Sequence, residues 1–406
     1  MDNGSSSKHL YQNVPKLRFP CFEGEWSVDY LKKYMIESTE LTNQESGYPL
    51  MTSSRQGLFV QNEYFNREKQ SSEDTLFSVV PRGYVTYRHM SDDDIFHFNI
   101  NNLAVYGLVS REYPVFTTTP NLNSYLLVEI LNSSFDFRKF CKQQKKGGTR
   151  TRLYFSVLGD YKITIPSIQE QQKIAAFLSL LDDRISKQRE LIEKLKTYKR
   201  GALSAIFNRK IRFKDKDGNP FPDWQTVKFS ELYAQVSEKN DGSFGTDKII
   251  SVANMYFKSD VTIGSEDYLK SYNICRLGDI AFEGNKSKNF AFGRLVENHI
   301  GDGIVSHVFI VFRPLNTNHN IDYWKIAINY EPIMGKILSK CTKKSTMMTD
   351  LVPRDFLQQT LAVPCPEEQR LIAVFLSKID NYMNKQKEYL DKLTSLKSTL
   401  LQQMFI

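Results

Sequence analysis

The sequence predicts an α+β protein built as an internal repeat, with two globular α/β domains and two long helices that pair as a coiled coil. Three observations predict it. Residues 166–207 recur at 364–405, both copies have the spacing of a coiled-coil seam, and the two intervening segments share short motifs in the same order. Aligned without a gap, the two copies are identical at roughly 17 of 42 positions, far more than chance gives.

Each copy predicts one helix of about 40 residues, roughly 60 Å long. Its seam residues recur at alternating spacings of four and three, which is typical of helices that pair through an a/d stripe. Gln188 and Gln386 occupy the same place in the two seams, and we expect their amides to meet and to fix the register. Two separate amphipathic core helices remain the alternative. The seam residues are Ile174, Leu178, Leu181, Ile185, Gln188, Ile192, Leu195, Lys199, Ala202 and Ile206, then Ile372, Leu376, Ile379, Met383, Gln386, Leu390, Leu393, Lys397, Leu400 and Met404.

Both helix starts carry N-terminal signals. Ser167 with Glu170 fits a capping box, and Pro366 fits the first turn of the second helix, where a missing N–H is tolerated. These borders divide the chain. The predicted segments are a disordered tail at 1–14, a first domain at 15–165, a central helix at 166–207, a second domain at 208–363 and a C-terminal helix at 364–406.

Bulk composition agrees with two or three domains in 406 residues, 41% of them hydrophobic. No apolar run approaches the length of a membrane span, and the polar first residues show no signal-peptide core. The five cysteines are scattered and form no CxxC pair, which favours a reducing cytoplasm over disulfides or zinc. The net charge of +8 permits nucleic-acid binding without establishing it.

The two globular segments share motifs in the same order. Gly83 in V-P-R-G-Y-V matches Gly278 in C-R-L-G-D-I, and a G-[LI]-V-S segment begins at Gly107 and again at Gly303. A K-x-x-K-K segment lies upstream of each long helix. The rest of the two segments differs widely, so we expect two sites of one kind that recognise different targets.

No catalytic constellation is convincing. The sequence has no GxxxxGK[ST] or GxGxxG phosphate loop, and the six histidines show no metal-ligand spacing. We therefore predict neither catalytic nor metal-binding residues. Asp92, Asp93 and Asp94 form a carboxylate run, but consecutive side chains point in different directions, so a solvated loop is the better interpretation.

The positive signals are basic loops, because lysine and arginine neutralise phosphates and arginine also reads base edges. The strongest signal is that two such loops occupy equivalent positions in the repeat. For each loop taken alone, a solvated surface turn remains the alternative. The candidate DNA-binding residues are Lys142, Lys145, Lys146, Arg150 and Arg152 in the first domain, Lys340, Lys343 and Lys344 in the second, and Arg55, Arg88, Lys286 and Lys288 in other polar loops.

Over nearly its whole length the chain resembles the specificity subunits of type I restriction–modification enzymes. The resemblance rests on I-P-S-I-Q-E-Q at 165–171 and V-P-C-P-E-E-Q at 363–369, both leading into the duplicated helices, and on the G-[LI]-V-S segments. The family usually has a second proline where Ser167 and Cys365 stand here. The Glu-Gln pairs are present in both copies.

This resemblance implies that the two domains each recognise one half of a bipartite site in double-stranded DNA. The long helices would pair antiparallel, giving pseudo-two-fold symmetry. Two modification subunits, which bind S-adenosylmethionine and methylate adenine, would dock on the helices and domains, and restriction subunits would join them and cut DNA with ATP and Mg²⁺. This chain would carry no cofactor and no catalysis. It would be cytoplasmic, with no membrane association.

Three other classes of function remain open on the residues alone. They are a free-standing sequence-specific DNA-binding protein, a nuclease or methyltransferase with an unrecognised site, and a coiled-coil adaptor between proteins. A modification subunit encoded beside this chain favours the specificity subunit, and methyl transfer by the isolated chain favours an enzyme.

Overall fold

The computed structural model describes residues 13–62, 75–145, 147, 149–259, 261, 266–344 and 348–405. They form two compact units, one from 1–192 with 386–406 and the other from 193–385. The boundary between the units divides each long helix near its middle. The segments predicted from the sequence instead keep each long helix whole. Apart from its last two residues, the tail expected at 1–14 lies outside the described residues.

Among the described residues, the globular part of the first unit contains thirteen short strands, three α-helices with described bounds and two 3-10 helices, Leu31–Lys33 and Gln44–Ser46. Its strands are β1 Ser27–Tyr30, β2 Met35–Ser38, β3 Leu41–Thr42, β4 Met51–Ser54, β5 Gly57–Val60, β6 Phe77–Pro81, β7 Val85–Tyr87, β8 Met90–Ser91, β9 Phe98–Ile100, β10 Tyr106–Ser110, β11 Val115–Thr118, β12 Thr151–Arg152 and β13 Lys162–Ile165. Its helices are α1 Ser124–Ser133, α2 Phe135–Gln143 and α3 Phe155–Gly159. The first long helix, α4, follows at Ile168–Phe207.

The main sheet of the first unit has the order β2-β11-β7-β9, and all its pairings are antiparallel. Smaller ladders join β10-β6-β3, β4-β5, β12-β8 and β1-β13. One face of the main sheet packs on α1 and α2 through buried aromatic and aliphatic side chains, including Tyr87, Phe98 and Phe137. The same cluster takes in Ile174 and Leu178 of α4, so the long helix is part of the domain core.

The second unit repeats this plan. Its strands are β14 Gln225–Lys228, β15 Tyr233–Val236, β16 Ile250–Ser251, β17 Tyr256–Phe257, β18 Asn273–Cys275, β19 Ile280–Glu283, β20 Arg294–Glu297, β21 Gly303–Val305, β22 Ile310–Pro314, β23 Thr342–Lys344, β24 Thr349–Leu351 and β25 Thr360–Val363. Its helices are α5 Phe229–Leu232, α6 Glu266–Leu269, α7 Ile321–Ala327, α8 Glu331–Cys341, α9 Pro353–Leu357 and the second long helix, α10, at Pro366–Met404.

The repeat extends to strand register. The ladder β1-β13 pairs Ser27 with Ile165, and the ladder β14-β25 pairs Gln225 with Val363. Both residues of the second pair lie 198 positions after their counterparts in the first pair. The order β15-β22-β19-β20 reproduces the main sheet of the first unit. Because a shift of one residue would turn every side chain to the opposite face, this agreement shows a common scaffold under divergent sequences.

Equivalent turns in the two units are stabilised by the same kind of glycine and asparagine contacts. Gly83 and Gly278 both have positive φ, 84° and 88°, which an L-residue adopts only under strain. The N–H groups of these glycines donate to the carbonyls of Asn101 and Asn298, respectively. Each of those asparagines then holds its own turn with its side-chain amide, which is buried in both units.

Both long helices form as predicted, and every seam residue is buried or partly buried. Within the first unit, α4 and α10 run antiparallel. Asp182 in the first half of α4 pairs with Lys397 toward the end of α10, at 2.6 Å, while Gln188, later in α4, binds Gln386, earlier in α10. Within the second unit, Lys199 pairs in the same way with Asp380, also at 2.6 Å. Among the described residues, no helix is both long and apolar enough to cross a membrane.

Candidate nucleic-acid interface

The two Glu-Gln pairs at the starts of the long helices have structural partners. The carboxylate of Glu170 accepts from Nε and Nη2 of Arg18 at 2.8 and 2.7 Å, and that of Glu368 accepts from the same atoms of Arg212 at 2.8 and 2.9 Å. Both glutamates are buried. The capping box expected at Ser167 is therefore only half formed: Ser167 Oγ accepts from the Glu170 N–H, but the Glu170 carboxylate binds Arg18 instead.

The glutamines complete the same device. Gln171 donates to the carbonyl of Pro166 at 3.0 Å, and Gln369 donates to the carbonyl of Pro364 at 2.9 Å. A buried charge needs a partner of good geometry, and a two-pronged guanidinium supplies it. The motif thus anchors each domain to its helix.

The seam glutamines come together within the first unit. Nε2 of Gln188 donates to Oε1 of Gln386 at 2.8 Å and to its backbone carbonyl at 3.0 Å. Gln188 is buried. These residues are equivalent in the repeat, so a repeated position meets its own copy there.

In the first unit the predicted basic loops lie close to the aspartates at 92–94, here named the acidic turn. Arg150 Nε donates to Asp92 Oδ1 at 2.7 Å, and a guanidinium N–H of Arg55 donates to Asp93 Oδ1. Asp94 accepts from the hydroxyl of Thr151, and its carboxylate lies 3.9 Å from Lys145 Nζ. The carboxylates interpreted as a solvated loop are thus the partners of the predicted DNA-binding cations.

Backbone pairing explains why these segments meet. Strand β12 pairs with β8 through Thr151 opposite Ser91 and Arg152 opposite Met90, which carries residues 145–152 to the acidic turn. Asp94 has a φ of 62°, a conformation that aspartate tolerates better than most residues. Arg55 and a hydrogen bond from Ser91 lower the pKa of Asp93 to about 2, so this carboxylate is charged at neutral pH.

A pocket of about 370 Å³ lies beside this turn and is lined by both polar and aromatic side chains, among them Arg55, Arg88, Ser91, Asp92 and Tyr113. Arg88 is exposed at its edge. Two histidines lie nearby: burial lowers the pKa of His89 and of His97, which lines the pocket, so both are neutral at neutral pH. The cationic character of this surface therefore comes from arginine and lysine.

In the second unit the equivalent segments also meet. Strand β24 pairs with β23, placing Lys343 opposite Asp350, and Thr349 donates its N–H to the carbonyl of Gly284 at 2.8 Å. A Cβ on Gly284 would lie 2.3 Å from the Thr349 carbonyl oxygen, so only glycine allows this approach. The contact brings the exposed loop containing Lys286 and Lys288 to the same ladder as Lys343.

The structure therefore groups most of the candidate residues around one short ladder in each unit, β12-β8 and β23-β24, of which β12 and β24 are equivalent strands. Lys142 lies exposed in the last turn of α2, and Lys340 lies exposed in the last turn of α8. Arg152 is exposed on β12. Lys146 and the side chain of Lys344 lie outside the described residues. No local sequence pattern predicts the pairing of the acidic turn with Arg55, because Arg55 and Asp93 are 38 positions apart in the chain.

Residues 32–197 match the family model described as "Type I restriction modification DNA specificity domain". The matched residues cover most of the first domain and most of α4. A curated relative, the type I restriction enzyme MjaVIII specificity subunit of Methanocaldococcus jannaschii, is 27% identical over 281 residues, 62% of this chain and 64% of the relative. The match thus spans less than two thirds of that relative's length.

Two solved structures share the fold at 14% identity. One is the S subunit of a type I restriction–modification system from M. genitalium, with a TM-score of 0.51 over 97% of this chain and 99% of that chain. The other is a chain from a structure on complex assembly and conformational transition of the type I R-M system, with a TM-score of 0.54 over 93% and 96%. The fold of this chain thus matches those two structures along most of its length.

Within the described residues, no three His, Cys, Asp or Glu side chains are grouped to hold a metal ion. The acidic turn in particular faces basic side chains, which occupy its carboxylates. The chemistry available at both ladders is that of cations, hydroxyls and amides on a surface, which suits binding to phosphates and base edges.

Proposed function

We propose that the chain is the DNA-specificity subunit of a type I restriction–modification complex, with each unit recognising one half of a bipartite site in double-stranded DNA. One observation supports this most directly: two copies of one scaffold agree in strand register, yet their surface loops differ in sequence and charge. Two domains that bind the same kind of ligand but recognise different half-sites need one scaffold with different surface loops.

The two basic ladders are the proposed DNA contacts. Lysine and arginine on them neutralise phosphates and set the position of each unit on the duplex, while arginine, asparagine and glutamine side chains are suited to base edges. The residues proposed for contact are Arg55, Arg88, Lys142, Lys145, Lys146, Arg150 and Arg152 in the first unit, and Lys286, Lys288, Lys340, Lys343 and Lys344 in the second.

The outward faces of α4 and α10 are the proposed docking surfaces for two modification subunits. Lys187 and Lys385 are exposed at equivalent positions, and so are two large apolar side chains, Tyr198 and Leu396. Restriction subunits join the assembly in this proposal, and methyl transfer and cleavage take place in the partners. In this proposal the chain recognises the DNA sequence and holds the partner subunits together. It works in the cytoplasm and catalyses no reaction itself.

Segment replacement tests the function. Exchanging 15–165 for the equivalent segment of a relative with a different target is expected to change one half of the methylated DNA sequence and leave the other half. The reciprocal exchange of 208–363 is the matched control and is expected to change the other half. Sequencing of methylated adenines measures both. A change in both halves after one exchange contradicts the proposal.

Stoichiometry tests the scaffold role separately. Native mass spectrometry of the chain with its modification subunit is expected to show two copies of that subunit per chain. A complex with one copy at saturation, or no complex, contradicts two equivalent docking surfaces.

A further inference from the structure

The loop that joins an inner strand of the main sheet to its neighbouring edge strand carries opposite charge in the two units. Between β7 and β9 the first unit has Asp92, Asp93 and Asp94 against the single Arg88. Between β19 and β20 the second unit has Lys286 and Lys288 and no acidic residue. Both loops lie beside the ladder where the proposed DNA contacts are grouped.

The carboxylates of the first loop pair with cations from remote parts of the chain. Arg55 comes from the turn between β4 and β5, and Arg150 comes from the segment before β12. All four of these side chains are exposed, so the pairs lie on the surface and are open to exchange. An exposed ion pair is weak, and another anion can replace one partner.

We propose that Asp92 and Asp93 are specificity-determining residues that compete with DNA phosphates for Arg55 and Arg150. This inference rests on the proposed function. A duplex bound by the first unit must take these guanidinium groups from the carboxylates and must bring its own phosphates near the acidic turn. A sequence that offers only phosphates gains little from this exchange. A correct half-site adds base contacts, so the acidic turn lowers non-specific binding more than specific binding.

The second unit has lysines in place of the acidic turn and therefore binds duplexes with less discrimination through charge. The two halves of the site are then unequal: the second unit supplies more of the sequence-independent attraction, and the first unit is the more selective reader. Sequence-independent attraction appears experimentally as a dependence of affinity on salt, with a slope of about 0.9 per phosphate contact on duplex DNA.

The test replaces both carboxylates by amides in the full chain with its modification subunits. In the double variant Asp92→Asn and Asp93→Asn, the amide oxygens still accept the local hydrogen bonds, including that from Ser91, while the charge is lost. On a duplex without the target, we expect about two- to twenty-five-fold tighter binding, since each of the two exposed ion pairs is worth a factor of about 1.4 to 5. The salt slope should steepen by about 2, because two guanidinium groups become available. Affinity for the correct duplex should rise less, so the specificity ratio falls.

The matched control is Asp29→Asn with Asp160→Asn. These carboxylates also belong to the first unit, also form exposed ion pairs, with Lys33 and Lys32, and change the net charge equally. The control is expected to alter non-specific affinity by less than two-fold. Equal effects in test and control variants, or no change in the test variant, overturn the proposal.

A further variant separates this inference from the function on which it rests. Arg55→Ala with Arg150→Ala is expected to weaken binding and flatten the salt slope if these residues contact phosphates. If that variant weakens binding while the asparagine variant changes nothing, the competition by the acidic turn is wrong and the DNA-binding surface stands. If neither variant changes binding, both are wrong at this surface.

Discussion

The two units use one hydrogen-bonded frame around different interiors. In the second unit Glu297, at the end of β20, bonds to His319 just before α7, with Oε1 and Nε2 separated by 2.7 Å. The equivalent positions in the first unit hold Ile100 and Leu122, which pack in its apolar cluster. The ladder register, the turn asparagines and the Arg–Glu anchors are the same in both. Backbone pairing and a few buried ion pairs therefore define this scaffold, and the side chains packed inside it can differ between the units.

The largest expected effect tests the shared anchors. Arg18→Ala and Arg212→Ala each leave a buried glutamate without its guanidinium, at a cost of about 3–5 kcal/mol. The loss at Arg18 should be larger by about 1 kcal/mol, because Trp224 Nε1 still donates to Glu368 at 3.1 Å, whereas Trp26 Nε1 has no hydrogen bond among the described residues. Hydrogen exchange of the β1-β13 and β14-β25 ladders in denaturant measures each unit.

Arg18→Lys and Arg212→Lys serve as the controls for that experiment, since they keep the charge and lose the two-pronged geometry. We expect intermediate losses. An Arg18→Ala variant as stable as the unchanged protein would show that this ion pair does not stabilise the first unit.

The next effect tests the difference in filling. Burial raises the pKa of Glu297 to about 9 and lowers that of His319 to about 4, so both are neutral in the folded protein near neutral pH. In the unfolded chain Glu297 ionises above its ordinary pKa of 4.5, whereas in the folded protein it stays protonated up to about pH 9. Its contribution to the free energy of unfolding therefore falls as the pH rises from 4.5 to about 9. The contribution of His319 to stability is fully present above its ordinary pKa of 6.5 and is lost as the pH falls toward 4.

Between pH 6.5 and 9 the second unit should therefore lose stability through Glu297. Copying the first unit by the double change Glu297→Ile and His319→Leu should remove this decline and leave the stability near neutral pH almost unchanged or higher, because apolar side chains replace both hydrogen-bonding partners. Glu297→Ile alone leaves His319 without its partner and should destabilise. Denaturant midpoints across this pH range give the result, and an unchanged decline in the double variant would falsify the assignment to this pair.

A smaller effect is expected at the meeting of the two seams. Gln188→Leu leaves the amide of Gln386 without its partner and should cost about 1–3 kcal/mol, while leucine at both positions should recover most of that loss. A double-mutant cycle measures the coupling. Losses that simply add would show that the 2.8 Å contact does not fix the register.

The smallest expected effect compares the two charged loops on DNA. Lys288→Ala should weaken binding to all sequences and reduce the salt slope by about 1. Arg150→Ala should reduce the slope by clearly less, because Asp92 already neutralises part of that charge. Affinities of the full complex at several salt concentrations make the comparison, and equal slopes for the two variants would remove the proposed inequality.

The sequence alone determined the repeat, the two long helices and their seam. Each depends on periodic local patterns, and every predicted seam position from Ile174 to Met404 is at least partly buried. It also predicted that Gln188 and Gln386 would meet, because two equivalent polar positions in one apolar seam satisfy each other. Burial over a regular spacing is information that a chain carries position by position.

The tertiary structure decided the partners of charges that lie far apart in the chain. The sequence predicts that Glu170 caps its own helix, but in the structure its carboxylate binds Arg18, 152 positions away. The carboxylates at 92–94, interpreted as a solvated loop, pair with Arg55 and Arg150. An exposed carboxylate can pair with any nearby cation, and no local pattern says which cation that is. Only the pairing of β12 with β8 and the fold of the first sheet bring these groups within bonding distance.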